Sequence, residues 1–168
     1  MLDPASGGSF SLSPAVPFDV HRSYLPDTNV LQSEFRTAEG CVNVIEAVTL
    51  DTALAVPWRE VARRVEGVSG RVPMPWRVRP RFTYGQESRE PVRRDGILVC
   101  RCDRLQVGVK TWSAGEPEMH GDAVTGRFEL RAGELALLAL LASDDIALPS
   151  PERGQIERRL TTTIELWQ

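Results

Sequence analysis

Long hydrophobic runs are missing from this sequence. The longest, Leu135 to Ala142, has eight residues, and a membrane-spanning helix needs roughly 20. No basic stretch leads into an apolar core after Met1-Leu2-Asp3-Pro4, so no signal peptide is readable. Positive charge is not in excess: 23 acidic side chains face 20 basic ones, a net charge of -3. That argues against a general nucleic-acid binder. Lysine is nearly absent, with Lys110 beside 19 arginines, which reads as a coding bias. Cysteine is scarce: Cys41, Cys100 and Cys102 form no CxxC pair. Cys100 and Cys102 would share one strand face, a poor geometry for a disulfide. Together these features point to a cytoplasmic chain that meets neither membrane nor nucleic acid.

The chemistry-bearing residues are also thin. His21 and His120 stand far apart with no ligand-like partner at helical spacing, and no HExxH, phosphate loop or GxSxG occurs. Ser69 lies between glycines in Gly67-Val68-Ser69-Gly70, but that spacing fits a turn and not a nucleophile elbow. No metal site and no cofactor is expected.

What is present is a hydrophobic fraction of 42%, enough for a core, and a period of two. Gly (13) and Pro (12) are scattered along the chain, which favours many turns over a few long helices. Between Thr28 and Thr37, Leu31 and Phe35 share a face; Ala38-Glu39-Gly40 then closes a hairpin into Val42, Val44 and Val48. Val61, Arg63 and Val65 alternate up to Gly67, and Val68-Ser69-Gly70 reads as a turn. Val72, Met74, Trp76 and Val78 form one face of the next strand. Its Pro73 and Pro75 predict an edge position, because proline cannot donate to a ladder.

After a charged loop from Glu87 to Asp95, Ile97 to Cys102 and Leu105 to Thr111 predict two strands. A loop from Ser113 to Asp122 precedes a weakly alternating segment, Ala123 to Leu130. Leu135 to Ala142 suits a helix by propensity but also a strand covered on both faces, and the strand is the preferred reading. From Ser150, an N-cap followed by Pro151, a helix carries Ile156, Leu160, Ile164 and Trp167 in one stripe. The fold class expected is an all-β antiparallel sandwich, residues 1–149, with a C-terminal helix over 150–168. The stripe needs a cover, either the sandwich or a partner.

Three groups invite a functional reading. Glu46 shares its strand face with valines, so it either reaches water at a rim or must pair with an arginine. Arg77, Arg79 and Arg81 form a same-face row beside Phe82 and Tyr84. The row could grip an anion, a sugar or an acidic surface; a charged edge that blocks aggregation is the simpler reading. Trp58, Trp76, Trp112 and Trp167 could stack on sugars, although packing is the commoner fate of tryptophan.

Several segments resemble one known family in order along the chain. Tyr24-Leu25-Pro26-Asp27-Thr28-Asn29-Val30-Leu31 with Phe35-Arg36-Thr37-Ala38-Glu39-Gly40 resembles the YLPxTxVL…FxTxDG run of glycoside hydrolase family 15. Arg63-Arg64-Val65-Glu66-Gly67-Val68-Ser69-Gly70-Arg71-Val72-Pro73 is similar to its RxVEGxxGxVP stretch. Arg79-Pro80-Arg81-Phe82-Thr83-Tyr84-Gly85 resembles RPxFxYG, and Leu130-Arg131-Ala132-Gly133-Glu134 with Leu160 to Trp167 resembles LxAGE and LxxTxxxW.

The resemblance implies the N-terminal super-sandwich domain of trehalase-like and glucoamylase-like proteins. In that family the domain precedes a helical barrel that holds both catalytic carboxylates of an inverting α-glucosidase. No catalytic residue therefore carries over to this chain, which starts just after the family's opening section and ends where the barrel should begin. Glu46 stands where the family has the Asp of VxVTDFMP. The partners implied are a catalytic barrel of the same or a related chain and, with opening strands missing, a second copy in a homodimer. An α-glucan or trehalose is the ligand that a binding module would take. The residues expected at such contacts are Arg77, Arg79, Arg81, Tyr84 and Glu46 for a ligand, and Ile156, Leu160, Ile164 and Trp167 for a partner.

Overall fold

The computed structural model describes residues 6–50, 58–144 and 147–168, with backbone only at Tyr84. The strands are β1 (Ser9–Leu12), β2 (Phe18–Tyr24), β3 (Leu31–Thr37), β4 (Gly40–Val48), β5 (Trp58–Arg79), β6 (Val92–Arg94), β7 (Ile97–Cys102), β8 (Leu105–Trp112), β9 (Glu118–His120), β10 (Ala123–Arg131) and β11 (Leu135–Asp144). One helix, α1 (Arg153–Trp167), follows. All pairings are antiparallel. A large sheet runs β2-β3-β4-β5-β11-β8-β7-β6, and a small one runs β1-β5-β10-β9. The chain is thus an all-β sandwich with a C-terminal helix.

The two sheets share β5, which corrects one expectation. Val68-Ser69-Gly70 is not a hairpin turn; the 22-residue strand runs straight through it. Its first half pairs with β4 and β11, its second with β1 and β10. The bend between them is locked by backbone bonds: Gly67 N donates to Glu134 O (3.0 Å), and Gly133 N donates to Gly67 O (2.8 Å). Ala132 N donates to Gly70 O (3.3 Å) and Arg71 N to Glu39 O (3.0 Å). A Cβ on Gly67 would stand 2.0 Å from Arg131 O, and one on Gly70, whose φ is +61°, 1.8 Å from Glu39 O. Only glycine fits either place.

β5 as a whole has a partner on each side, so it is not an edge strand, but at Pro73 and Pro75 only β10 is paired with it and the other side is open. Both prolines are tolerated because β1 ends opposite Trp76. Pro73 O accepts from Ala15 N (3.0 Å), so its nitrogen faces the same side, where no β1 ladder remains to be supplied.

The core between the sheets joins Phe35, Val42, Val44, Val65 and Leu138 to Val72, Met74, Trp76, Val78 and Leu130. On the opposite face of the large sheet, Ile156 packs with Ala62, Leu137 and Ala139, and Leu160 with Val30 and Ala47. Residues 136–139 of β11 are thus buried on both faces, which is why that stretch is apolar without alternation. The helix starts two residues later than its sequence signal suggests. Ser150 Oγ takes a bond from Lys110 Nζ (2.7 Å), and Glu152 serves as N-cap residue, its N–H donating to Gln155 Oε1 (2.8 Å). Among the described residues no helix is long and apolar enough to cross a membrane.

Candidate functional site

The arginine row is divided by one acid. Asp122, in the turn between β9 and β10, accepts from Arg79 Nε (3.2 and 3.3 Å) and from Arg81 Nη1 (2.5 Å). Burial opposes the charged form of Asp122, but hydrogen bonds from Arg81 and Arg79, with their charges, hold its carboxyl below the usual range. The stability this contributes is present above the ordinary carboxylate range and is lost as pH falls through the lowered value. Arg79 and Arg81 are therefore structural. Arg77 is exposed, with no carboxylate partner among the described residues. It stands on the outer face of the small sheet with Thr125, Arg127, Glu118 and His120 around one groove. Sequence reading misses those four; the only hint is the polar alternation of Thr125, Arg127 and Glu129. The Tyr84 side chain lies outside the described residues; its backbone is in a short 3-10 turn, Thr83–Gly85.

Glu46 is half-buried and directly opposite Arg63 in the β4–β5 register, with which it forms an ion pair. Arg63 also donates Nη1 to Phe10 O (2.8 Å), and its guanidinium lies 3.8 Å from the Phe10 ring centroid. The rim reading and the arginine-paired reading thus both hold part of the truth. These groups border a cleft of about 370 Å³ with Phe18, Arg22, Leu31 and Ser33. Among the described residues Glu46 is the one carboxylate lining it, and Arg63 pairs with that carboxylate. Because the pair is partly solvated, Glu46→Ala is expected to cost about 1 kcal/mol or less in thermal unfolding.

β2 is the edge strand beside β3, across the cleft from β1, and Phe18 (40% exposed), Val20 (38%) and Tyr24 (64%) present apolar surface. The outer edge of β1 is unpaired among the described residues.

The helix stripe divides in the same way as the arginine row. Ile156 and Leu160 are fully buried by the chain's own sheet, so they are not partner contacts; Ile164 is half-buried and Trp167 is 45% exposed. Ile156→Val is expected to cost about 1 kcal/mol and to speed amide exchange through α1. Rapid exchange of α1 in the unsubstituted chain would contradict this packing.

Cys100 and Cys102 pack with Phe82 and Val107, and all three cysteines are free thiols. Burial, with a smaller push from Asp122, raises the Cys100 thiol to about 11. At pH 8 only about one part in a thousand is then thiolate. Cys100 is expected to resist a disulfide reagent in the native chain and to react on unfolding. Among the described residues no cluster of His, Cys, Asp and Glu could hold a metal ion.

In comparisons with known proteins, no family model and no curated protein matches this chain. Among solved structures the chain is similar to one titled "Putative kojibiose phosphorylase from human microbiome", at 11% identity and a TM-score of 0.49. The likeness covers 94% of this chain and 25% of that one, so this chain spans about a quarter of its length.

Proposed function

We propose that this chain is a non-catalytic β-sandwich domain of the family 15 type that packs against a helical catalytic barrel and shapes it. The observation that supports this reading is where the resembling segments meet. Glu39-Gly40, Gly67 to Arg71 and Arg131 to Glu134 come from three separate motifs, and all converge on the β5 crossover. The contacts among them are backbone hydrogen bonds and close approach, which hold two sheets in register. The surface available for a barrel is the face of β2 and β3 with the adjoining cleft. Apolar side chains rimmed by Arg22 suit a protein contact.

The test is to mix the chain with a family 15 barrel expressed without its own sandwich. A 1:1 complex by light scattering, with amide protection gained over residues 18–35, is the expected result. No complex, or protection elsewhere, would refute the reading. A homodimer through the same face is the competing occupant, and the mass of the chain alone in solution distinguishes it.

A further inference from the structure

The groove on the outer face of the small sheet, about 610 Å³ in volume, shares only Ser11 and Ser13 with the docking cleft. Its floor is a lattice set by strand register. One row runs Ser11, Arg77, Thr125, Glu118 across β1, β5, β10 and β9. In the next, Pro75 is opposite Arg127, with Ser13 and Glu116 lining the two margins. Neighbouring strands stand about 4.8 Å apart, comparable with the length of one sugar ring.

The floor and its wall are held from behind. Trp76 is buried beneath β10, where Gly126 leaves room for its ring: a Cβ there would meet the indole at 2.5 Å. The indole Nε1 donates to Ala114 O (2.7 Å), fixing the loop that carries Glu116 and leads into Glu118. That loop approaches β10 so closely that a Cβ on Gly115 would stand 2.1 Å from Arg127 O.

The side chains alternate donors and acceptors. Arg77 and Arg127 donate, Glu116 and Glu118 accept, and the hydroxyls of Ser11, Ser13 and Thr125 do both. Beside His120, the two arginines and two glutamates balance in formal charge, so the groove has no strong excess of one sign, and the carboxylates would repel an anion that settled on the arginines. Arg77, Arg127 and Glu118 have no ionic partner among the described residues, and Glu116 has only a loose one, Arg93 at 3.4 Å. The ligand that matches such a surface is neutral, elongated and rich in paired hydroxyls, each pair able to donate to a carboxylate and accept from a guanidinium. We infer that this groove is a binding site for a neutral oligosaccharide lying across the four strands, with Pro75 under the apolar face of a ring.

The experiment titrates the full chain, labelled for NMR, with maltohexaose, cellohexaose, laminarihexaose and inorganic phosphate. At least one hexasaccharide is expected to give saturable shifts confined to residues 75–77, 116–120 and 125–127. Arg77→Ala and Glu118→Gln should each weaken binding about tenfold or more, with no change in melting temperature. If no hexasaccharide moves those amides, or neither variant weakens binding, the inference fails. If phosphate moves them and competes with the sugar, the site is an anion site and the inference is overturned. Barrel docking should be unaltered in Arg77→Ala, so failure of either reading is distinguishable from failure of the other.

Discussion

Replacing Glu60 with alanine is expected to lower the stability of this chain by about 3–5 kcal/mol, a fall in melting temperature on the order of 10 °C. Glu60 is buried (3% exposed) on β5. Its carboxylate accepts from Arg159 Nη2 (2.5 Å) and Nε (3.2 Å) of α1, and from Thr49 Oγ1 (2.8 Å). Thr49 N donates in turn to Glu60 O (2.9 Å), while Leu50 N donates to Thr163 Oγ1 (2.8 Å). One acid thus ties the end of β4 and the helix to the strand that builds both sheets. Removing it leaves the Arg159 charge sequestered without a counter-ion, and that desolvated charge is the large term. The double variant Glu60→Leu with Arg159→Met removes both charges and should recover most of the loss. A Glu60→Ala melt within about 1 kcal/mol of the unsubstituted chain would show that the pair is solvated.

Gly67→Ala and Gly70→Ala are each expected to cost about 3 kcal/mol or more, enough to reduce soluble yield. Both would drive a methyl group into a backbone carbonyl of a neighbouring segment, and neither obstacle is a flexible side-chain end. Gly70 adds the cost of a positive φ, about 1–2 kcal/mol for an L residue. Gly133 is the control: its φ is +82°, but nothing lies within 4 Å of the Cβ position. Gly133→Ala should therefore show the conformational cost alone. Equal melting temperatures for Gly67→Ala and Gly133→Ala would mean that the crossover is looser than described.

The local elements are legible in the sequence because their signals are local. The hairpin joining β3 to β4 forms where expected, with Thr37 Oγ1 bonded to Gly40 O and accepting from Gly40 N (both 3.0 Å). β7 and β8 match their sequence boundaries to within a residue, and β11 is a strand despite its leucines and alanines. Gly67 and Gly70 mislead because a chain reversal and a strand crossing between sheets ask for the same residue. What decides between them is the partner on each side, and those partners are about 25 to 70 residues away in sequence. The arginine row is visible, but Asp122 neutralises two of its members across 41 and 43 residues, which spacing cannot reveal. The groove draws on four strands, so its members share no motif at all.

Turnover measured on the purified chain with trehalose and an aryl α-glucoside is the most direct test of the proposal that this chain is a non-catalytic scaffold. The expected result is a rate equal to the buffer blank. Hydrolysis that one Asp or Glu substitution abolishes, in a chain that still melts at the unsubstituted temperature, would contradict it.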